Sequence, residues 1–257
     1  MLTGKLDIAM ILINRYFENE RELWGEHIYC EDLCRDNDIE SNGFTPIVAR
    51  GSIAFDNSVK FTLKTLGLPD LRFPFNNDPR FYNYNYWKSL PDLLNADCWF
   101  DTWEEISESL EHREKLWIRS ASGNKNFTGG VFTRSEFMNE VEYLKQINSD
   151  DIMFVVAHPK TIYREYRFVF VGGKVISSSL YMENGNPKQG EYAPDDLTKF
   201  AQKWFDSQYI LPKHVVVDIT DDQKIIEINN IFTSGWYSCD LEKIIAVVKK
   251  ELDIFKQ

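Results

Sequence analysis

The feature that most constrains the fold of this chain is a segment near the C-terminus, His214–Asn229, with the sequence HVVVDITDDQKIIEIN. Two runs rich in Val and Ile flank a polar tip, which is the pattern of two β-strands joined by a tight turn. A turn centred between Asp222 and Gln223 places Asp218 directly across from Glu227. The segment therefore predicts two carboxylates that face each other on one side of a β-hairpin.

These facing carboxylates favour a metal-binding interpretation of the hairpin. Asn229 lies two residues beyond Glu227, so it points to the same face, about 6.6 Å along the strand. Carboxylates opposite each other at about 5 Å repel, and a divalent cation between them removes the repulsion. Oxygen ligands of this kind suit Mg²⁺, which takes one or two carboxylates and shares its shell with substrate phosphates. The alternative is that Asp218 is a solvated strand end and Glu227 an outward-facing surface residue.

Length and composition narrow the classes of protein to consider. The 257 residues can bury a large core, and the net charge of −11 argues against broad, salt-dependent binding to nucleic acid. Ile8–Ile13 is too short an apolar run to span a membrane. Four scattered cysteines suit reduced thiols, so we expect a cytoplasmic protein. His27, Cys30 and Cys34 can begin a zinc site, but no second cluster completes it, and a helix predicted over Glu20–Asn37 contains all three.

A second candidate site is the segment Lys115–Val131, KLWIRSASGNKNFTGGV. A predicted strand ends in Arg119 and enters a loop with three glycines and Lys125. Such a loop lets backbone N–H groups approach an anion, while Arg and Lys supply positive charge. It is not a Walker A motif, because the Gly-Lys-Ser/Thr ending is missing. By itself the loop is weak evidence for a phosphate site, and a purely structural turn is the alternative.

Strands and helices alternate along the rest of the chain. Capping-box spacing at Thr102 and at Thr133 predicts the start of two helices. A second hairpin is predicted over Arg164–Tyr181, in which Glu165 and Arg167 share one face. The aromatic segment Phe73–Trp87 has little periodicity, and we interpret it as an ordered loop packed on the N-terminal domain. Bases can stack on such rings, but the lack of basic neighbours favours packing.

With these segments in order, the chain resembles the ATP-grasp superfamily, most closely its compact, little-characterised members from bacteria and phages. The resemblance is strongest at Leu116–Phe132, Arg164–Tyr181 and Val215–Asp240. It extends to Val48–Ile53 and Leu93–Asp97 in the N-terminal part of the chain. Three motifs in this order and at these separations are much more specific than any one of them.

The resemblance implies an α+β fold that clasps a nucleotide. An N-terminal α/β domain, residues 1–112, is expected to lie beside an ATP-grasp domain, residues 113–257. The latter would consist of two α+β subdomains, the first over residues 113–157 and the second over residues 158–257, with ATP and Mg²⁺ bound between them.

The resemblance also implies roles for residues singled out above. Arg119 stands where many members carry lysine at the end of the nucleotide-contacting strand. Lys125 would contact the β- and γ-phosphates, and Arg167 would neutralise the transferred phosphoryl group or its acceptor. The metal-binding positions match three hairpin residues, Asp218, Glu227 and Asn229.

The adenine is expected to rest against the strand that ends at Ala157, where backbone groups would read the edge of the base. The residues concerned are Phe154, Val155, Val156 and Ala157. Members of the superfamily often carry an acidic ribose contact just after this strand. His158, Pro159 and Lys160 stand there in this chain, which leaves ribose recognition open.

In the usual chemistry of the superfamily, ATP phosphorylates a carboxylate and an amine then attacks the acyl phosphate. The leading interpretation is therefore an ATP-dependent carboxylate–amine ligase acting on a peptide, protein or amino acid, in the cytoplasm or in the host cytoplasm if the chain is phage-encoded. One alternative is an ATP-dependent kinase or other phosphotransferase on the same fold. Another is a nucleotide-binding module without catalysis. The two substrates and the oligomeric state stay open.

Overall fold

The computed structural model describes residues 10–25, 27–30, 46–67, 83–121, 127, 129–146, 153–188 and 190–254. Over these ranges the strands form three sheets that follow one another along the chain, with three, four and five strands. Helices pack beside all three sheets, so the predicted α+β class is confirmed. Among the described residues, no helix has the length and apolar character that crossing a membrane requires.

The first sheet has three parallel strands in the order β2-β1-β3. Its strands are β1 (Met10–Asn14), β2 (His27–Cys30) and β3 (Pro46–Arg50), accompanied by helices α1 (Arg21–Trp24) and α2 (Ile53–Thr65). Helix α2 begins at Ser52, whose side chain accepts a hydrogen bond from the backbone N–H of Phe55 and so satisfies a donor of the first turn. Parallel strands with helical connections agree with the expected α/β character of this part.

The helix predicted over Glu20–Asn37 is wrong. Helix α1 ends after one turn at Trp24, because Gly25 follows with a φ of +72°, a conformation that glycine adopts readily. The next residues, His27–Cys30, form a strand paired in parallel with β1. Sheet pairing therefore overrides the helical spacing of apolar residues here. Cys34, the third residue of the zinc alternative, lies outside the described residues.

The second sheet is antiparallel, in the order β4-β7-β5-β6. It contains β4 (Trp99–Asp101), β5 (Leu116–Ser120), β6 (Gly130–Phe132) and β7 (Phe154–Ala157), with helices α4 (Trp103–Ser109) and α5 (Arg134–Gln146). Both helices begin with the predicted capping boxes, Thr102 with Glu105 and Thr133 with Glu136. The helices cover one face of the sheet with a shared apolar core.

The third sheet runs in the order β10-β9-β8-β11-β12. It contains β8 (Arg164–Val171), β9 (Lys174–Glu183), β10 (Asn186–Pro187), β11 (Val215–Thr220) and β12 (Ile225–Asn230), with helices α6 (Asp195–Asp206) and α7 (Leu241–Ile254). Alternation along β11 gives the sheet two different faces. Val215, Val217 and Ile219 belong to the core beneath α6. Val216 belongs to the core shared with α7 and the first sheet, and Asp218 points to that same side.

The segment between the first and second sheets contains the short helix α3 (Tyr84–Trp87). Both Tyr84 and Trp87 are buried in the same core cluster as Val155 and Ala157 of β7. The described end of the aromatic segment therefore packs on the second sheet and not on the N-terminal domain as expected, because β7 offers an apolar face there. Residues 73–82 lie outside the described residues.

Strand pairing also bears on the domain boundary. Strand β4 pairs with β7, and Ile106 and Leu110, in and just after helix α4, share a core with α5. Residues 99–109 thus lie with the second sheet, although the predicted N-terminal domain extends to residue 112. We therefore propose a boundary before Trp99.

His214 should make the fold sensitive to mild acid. Its side chain is buried, and its Nδ1 accepts a hydrogen bond from the backbone N–H of Gly172. Burial, and to a smaller extent the charge of Lys213, lowers the pKa of His214 to about 4. The unfolded chain takes up this proton near pH 6.5. The contribution of His214 to stability is therefore complete above about pH 6.5 and is lost as the pH falls toward about 4.

We expect the wild type to lose roughly 1–2 kcal/mol more unfolding free energy than His214→Asn between about pH 7 and pH 5. Asn keeps an acceptor near the Nδ1 position but does not titrate. Urea unfolding of both proteins at the two pH values measures the difference. Equal losses would contradict the assignment.

Candidate functional site

The candidate site lies on the polar part of one face of the third sheet. Arg167 of β8 pairs opposite Asp218 of β11, and Asp218 pairs opposite Glu227 of β12. The predicted facing of Asp218 and Glu227 is confirmed. The register includes a β-bulge at Ile226, beside the turn, which the sequence pattern does not predict.

Arg167 and Asp218 form a buried ion pair. Nε and Nη2 of Arg167 donate to the two carboxylate oxygens of Asp218 at 2.8 and 2.6 Å, and Nη1 donates to the carbonyl of Gly235 at 2.7 Å. The side chains are 8% and 1% exposed. Burial alone lowers the pKa of Arg167, but the charge and hydrogen bonds of Asp218 raise it above its ordinary value. The bidentate contact fixes both the charge and the orientation of the guanidinium.

This ion pair changes the electrostatic argument for the hairpin. From the sequence, the two facing carboxylates repel until a metal ion lies between them. In the structure Arg167 already neutralises Asp218, so the repulsion between Asp218 and Glu227 is smaller than predicted. The hairpin sequence cannot show this, because the neighbour of β11 on its other side is set by the topology of the whole sheet.

The donor set fits a magnesium ion. The carboxylates of Asp218 and Glu227 and the amide of buried Asn229 share one face of the hairpin. Each Asp218 oxygen can accept more than the one bond it receives from Arg167. Within the part of the chain that the structure describes, no three His, Cys, Asp or Glu side chains are arranged to hold a metal by themselves. A metal site here therefore depends on the amide and on oxygens of a ligand, as is common for Mg²⁺.

Sequence reasoning missed the aromatic part of the site. The rings of Tyr181 and Tyr237 stack with centroids 5.3 Å apart and planes at 6°, and the guanidinium carbon of Arg167 lies 5.1 and 4.7 Å from their centres. The Tyr181 hydroxyl donates to Oε2 of Glu165 at 2.5 Å. Burial raises the pKa of Glu165, and the hydrogen bond from Tyr181 partly offsets the rise. No periodicity marks Tyr237, which follows β12 and adopts a φ of +47°.

The loop after β12 is held from the N-terminal domain by Arg50. This fully buried side chain lies 3.7 Å from the centre of the Phe17 ring and 3.8 Å from that of Trp236. Its Nε and Nη2 donate to Glu20 at 2.9 and 2.6 Å. Its Nη1 donates to three loop carbonyls, those of Ile231, Phe232 and Ser234. Arg50 therefore fixes the loop whose Gly235 carbonyl accepts from Arg167.

The predicted phosphate-binding cations lie apart from this cluster in the fold. Arg119 is near the end of β5 in the second sheet, opposite Val155 of β7. Its guanidinium carbon is 5.1 Å from the centre of the Trp87 ring and 5.6 Å from that of Tyr84. Lys125 lies outside the described residues, so its role stays a prediction.

The strand predicted to hold adenine is buried along its whole length. Strand β4 pairs with Phe154, Val155 and Val156, and β5 pairs with these three and with Ala157. Because both edges of the strand are occupied up to Val156, the backbone groups that can read a base lie at Ala157 and beyond. This narrows the predicted adenine contact to the end of the strand.

The segment after β7 carries an ion pair at the point where the sequence lacks an acid. Nζ of Lys160 donates to Asp97 at 2.7 Å and to the carbonyl of His158 at 3.2 Å, and the hydrogen bond from Lys160 lowers the pKa of Asp97. The pair is partly exposed and contributes little to stability. It does bring a carboxylate from a neighbouring segment to this place, and ribose recognition stays open.

Gly129 allows the glycine-rich loop to approach Arg119 closely. A Cβ at position 129 would lie 2.9 Å from Cβ of Arg119 and 3.6 Å from the carbonyl of Ile118. Gly129→Ala should therefore lower the free energy of unfolding by about 1–3 kcal/mol through overpacking. Gly130→Ala is the control, since its Cβ would approach the Phe132 ring at 3.2 Å, a contact that a small ring movement relieves. Urea unfolding measures both; a Gly129 variant as stable as the Gly130 variant would contradict the prediction.

Comparison with known proteins supplies the family context of this geometry. The sequence matches the model of an ATP-grasp domain family, the second family of its clade, over residues 94–247. The match begins just before β4 and includes the second and third sheets. None of the curated proteins matches the chain.

Solved structures resemble the fold over nearly the whole chain. D-cycloserine synthetase DcsG aligns with a TM-score of 0.60 at 12% identity, covering 95% of this chain and 100% of that one. D-alanine–D-alanine ligase from Bacillus anthracis aligns with a TM-score of 0.55 at 14% identity, covering 97% and 99%. ATP-grasp ligase PsnB, complexed with minimal precursor, Mg and ADP, aligns with a TM-score of 0.51 at 10% identity, covering 100% of both chains. At such identities the likeness establishes the fold alone.

Proposed function

Since this chain belongs to the ATP-grasp superfamily, we propose that it is an ATP-dependent carboxylate–amine ligase. Its substrates are a carboxylate and an amine, one of them an amino acid, peptide or protein, and it works in the cytoplasm. The observation that carries the proposal is the row Arg167–Asp218–Glu227 with Asn229 on the same face. It joins a fixed cation to a magnesium-type donor set.

Arg167 is suited to neutralise a phosphoryl group or the acyl phosphate made from it. A guanidinium has five N–H donors, and among the described residues three of these donate to Asp218 and Gly235. Two donors are left for an anionic ligand. Because the contacts to Asp218 and the two tyrosine rings fix the side chain beforehand, little reorganisation is needed when charge develops.

Mg²⁺ would be held by Asp218, Glu227 and Asn229, where it would neutralise and orient the phosphate oxygens of ATP. Arg119 and Lys125 would contact the phosphates from the first subdomain, and the end of β7 would hold the adenine. Phosphoryl transfer depends mainly on positioning and charge neutralisation, so no nucleophilic side chain is required.

Product analysis tests the proposal. The protein is incubated with Mg²⁺, ATP and candidate acceptors or host-cell extract, and the products are identified by mass spectrometry. We expect ADP, phosphate and a new amide bond. Phosphate left on the acceptor would replace the ligase with a kinase, and binding of nucleotide without turnover would indicate a nucleotide-binding module.

Lys125→Ala should reduce turnover without affecting the fold. A lysine in a glycine-containing loop makes few core contacts, whereas loss of one contact to developing charge commonly costs about 3 kcal/mol of barrier, or more than a hundredfold in rate. ATP consumption and the melting temperature are measured together. Full activity would show that the loop is structural only.

A further inference from the structure

We propose that Tyr84 and Trp87 are positioning residues for the nucleotide-binding cation, holding the guanidinium of Arg119 in one orientation. The inference rests on the proposed function, which assigns Arg119 a contact to the nucleotide. It gives a role to the end of the aromatic segment, for which the sequence analysis found only packing.

The two rings and the cation form a corner. The guanidinium carbon of Arg119 lies 5.1 Å from the Trp87 ring centre and 5.6 Å from the Tyr84 ring centre. The two rings are 5.3 Å apart at an interplanar angle of 51°, and Tyr84 also lies 6.0 Å from the Trp117 ring. Trp and Tyr faces attract cations at these distances, more strongly when water is excluded. Each ring is only 1% exposed, whereas Arg119 is partly exposed.

The segment that carries the rings is fixed to the other subdomain. After α3, the backbone N–H of Ile225 donates to the carbonyl of Asp92 at 2.8 Å, and the N–H of Leu94 donates to the carbonyl of Ile225 at 2.9 Å. The indole of Trp204 donates to the carbonyl of Pro91 at 3.0 Å. The segment therefore joins the start of β12, the strand of Glu227, to the cation on β5. Its rings are anchored and do not lie on a free surface loop.

The choice of arginine over lysine follows from this arrangement. A guanidinium is planar, so it can lie against aromatic rings while its N–H edge donates to phosphate oxygens. A lysine ammonium is a compact, strongly hydrated charge that gains less from the rings. If Tyr84 and Trp87 were core residues only, their removal would affect folding but would not depend on which cation occupies position 119.

A double-mutant cycle tests this dependence. The dissociation constant of Mg²⁺ with a non-hydrolysable ATP analogue is measured by calorimetry for the wild type, Arg119→Lys, Trp87→Leu and the double variant. We expect each single change to weaken binding by roughly threefold to tenfold, and the double variant to bind no more weakly than the weaker-binding single variant. Trp87→Phe should recover most of the loss, because it restores an aromatic face.

Two controls separate positioning from stability. Trp103→Leu removes a ring 4.3 Å from Lys145 on the helices of the second sheet, and it should leave the dissociation constant unchanged. If Trp87→Leu does not fold, Tyr84→Leu replaces it in the cycle.

The outcomes are distinct from those of the proposed function. Multiplicative effects, with Arg119→Lys costing the same factor in both backgrounds, would overturn the role of the rings while leaving nucleotide binding intact. A wild type that binds no nucleotide would overturn the proposed function, and with it this inference.

Discussion

Arg167→Met is expected to lower the free energy of unfolding by about 3–5 kcal/mol. The reason is the carboxylate of Asp218, which is 1% exposed and receives two of its hydrogen bonds from Arg167. Met fills a similar volume but leaves this charge buried without its cation. The loss also releases the Gly235 carbonyl and the tyrosine stack. Since natural domains are stable by about 5–15 kcal/mol, a change of this size is easily measured by urea unfolding at neutral pH.

Arg164→Met is the matched control on the same strand. Arg164 pairs with Glu183 at 2.8 Å, but its side chain is 46% exposed, and such pairs contribute at most about 1 kcal/mol. Arg167→Met combined with Asp218→Asn should recover much of the lost stability, because the uncompensated charge disappears. A single Arg167 variant no less stable than the Arg164 variant would show that Asp218 is accessible to solvent.

The site illustrates what local sequence pattern determines. The facing of Asp218 and Glu227 follows from the alternation and turn of one hairpin, and the structure has that register even though a bulge at Ile226 intervenes. The shared face of Glu165 and Arg167 follows from alternation in the same way. These are contacts between residues close in sequence or properties of a single strand, for which the period of two is sufficient.

What the sequence does not predict are contacts between elements far apart along the chain. The pairing of β8 with β11 brings Arg167 to Asp218, 51 positions away, and no local pattern shows which strands become neighbours. Arg50 reaches the loop after β12 across more than 180 positions. His27–Cys30 has helical apolar spacing but becomes a strand, because pairing with β1 decides its conformation.

Glu227→Gln tests the hairpin as a metal site most directly. Gln keeps the volume of Glu and removes the charge that would offset Mg²⁺. If Glu227 is a surface residue, the change alters stability by less than about 0.5 kcal/mol and affects nothing else. Because Arg167 already neutralises Asp218, relief of repulsion in the protein without ligand should also be small, well under the roughly 1 kcal/mol of an unscreened cross-strand pair. The two cases therefore differ in the response to ligand.

With a ligand at 100 times its dissociation constant, the wild type should gain about 2.7 kcal/mol of stability. We expect this gain to require both Mg²⁺ and a non-hydrolysable ATP analogue, and to disappear in Glu227→Gln. Asp221→Asn, an exposed change at the tip of the same hairpin, should keep the full gain. Asn229→Asp adds a carboxylate to the same face, so it should weaken the protein without ligand while still allowing Mg²⁺ to bind. Melting curves with each component alone and with both together measure these shifts. A Glu227→Gln protein that gains as much as the wild type would place the metal elsewhere, because the ligand-driven stabilisation would then not depend on the charge at this position.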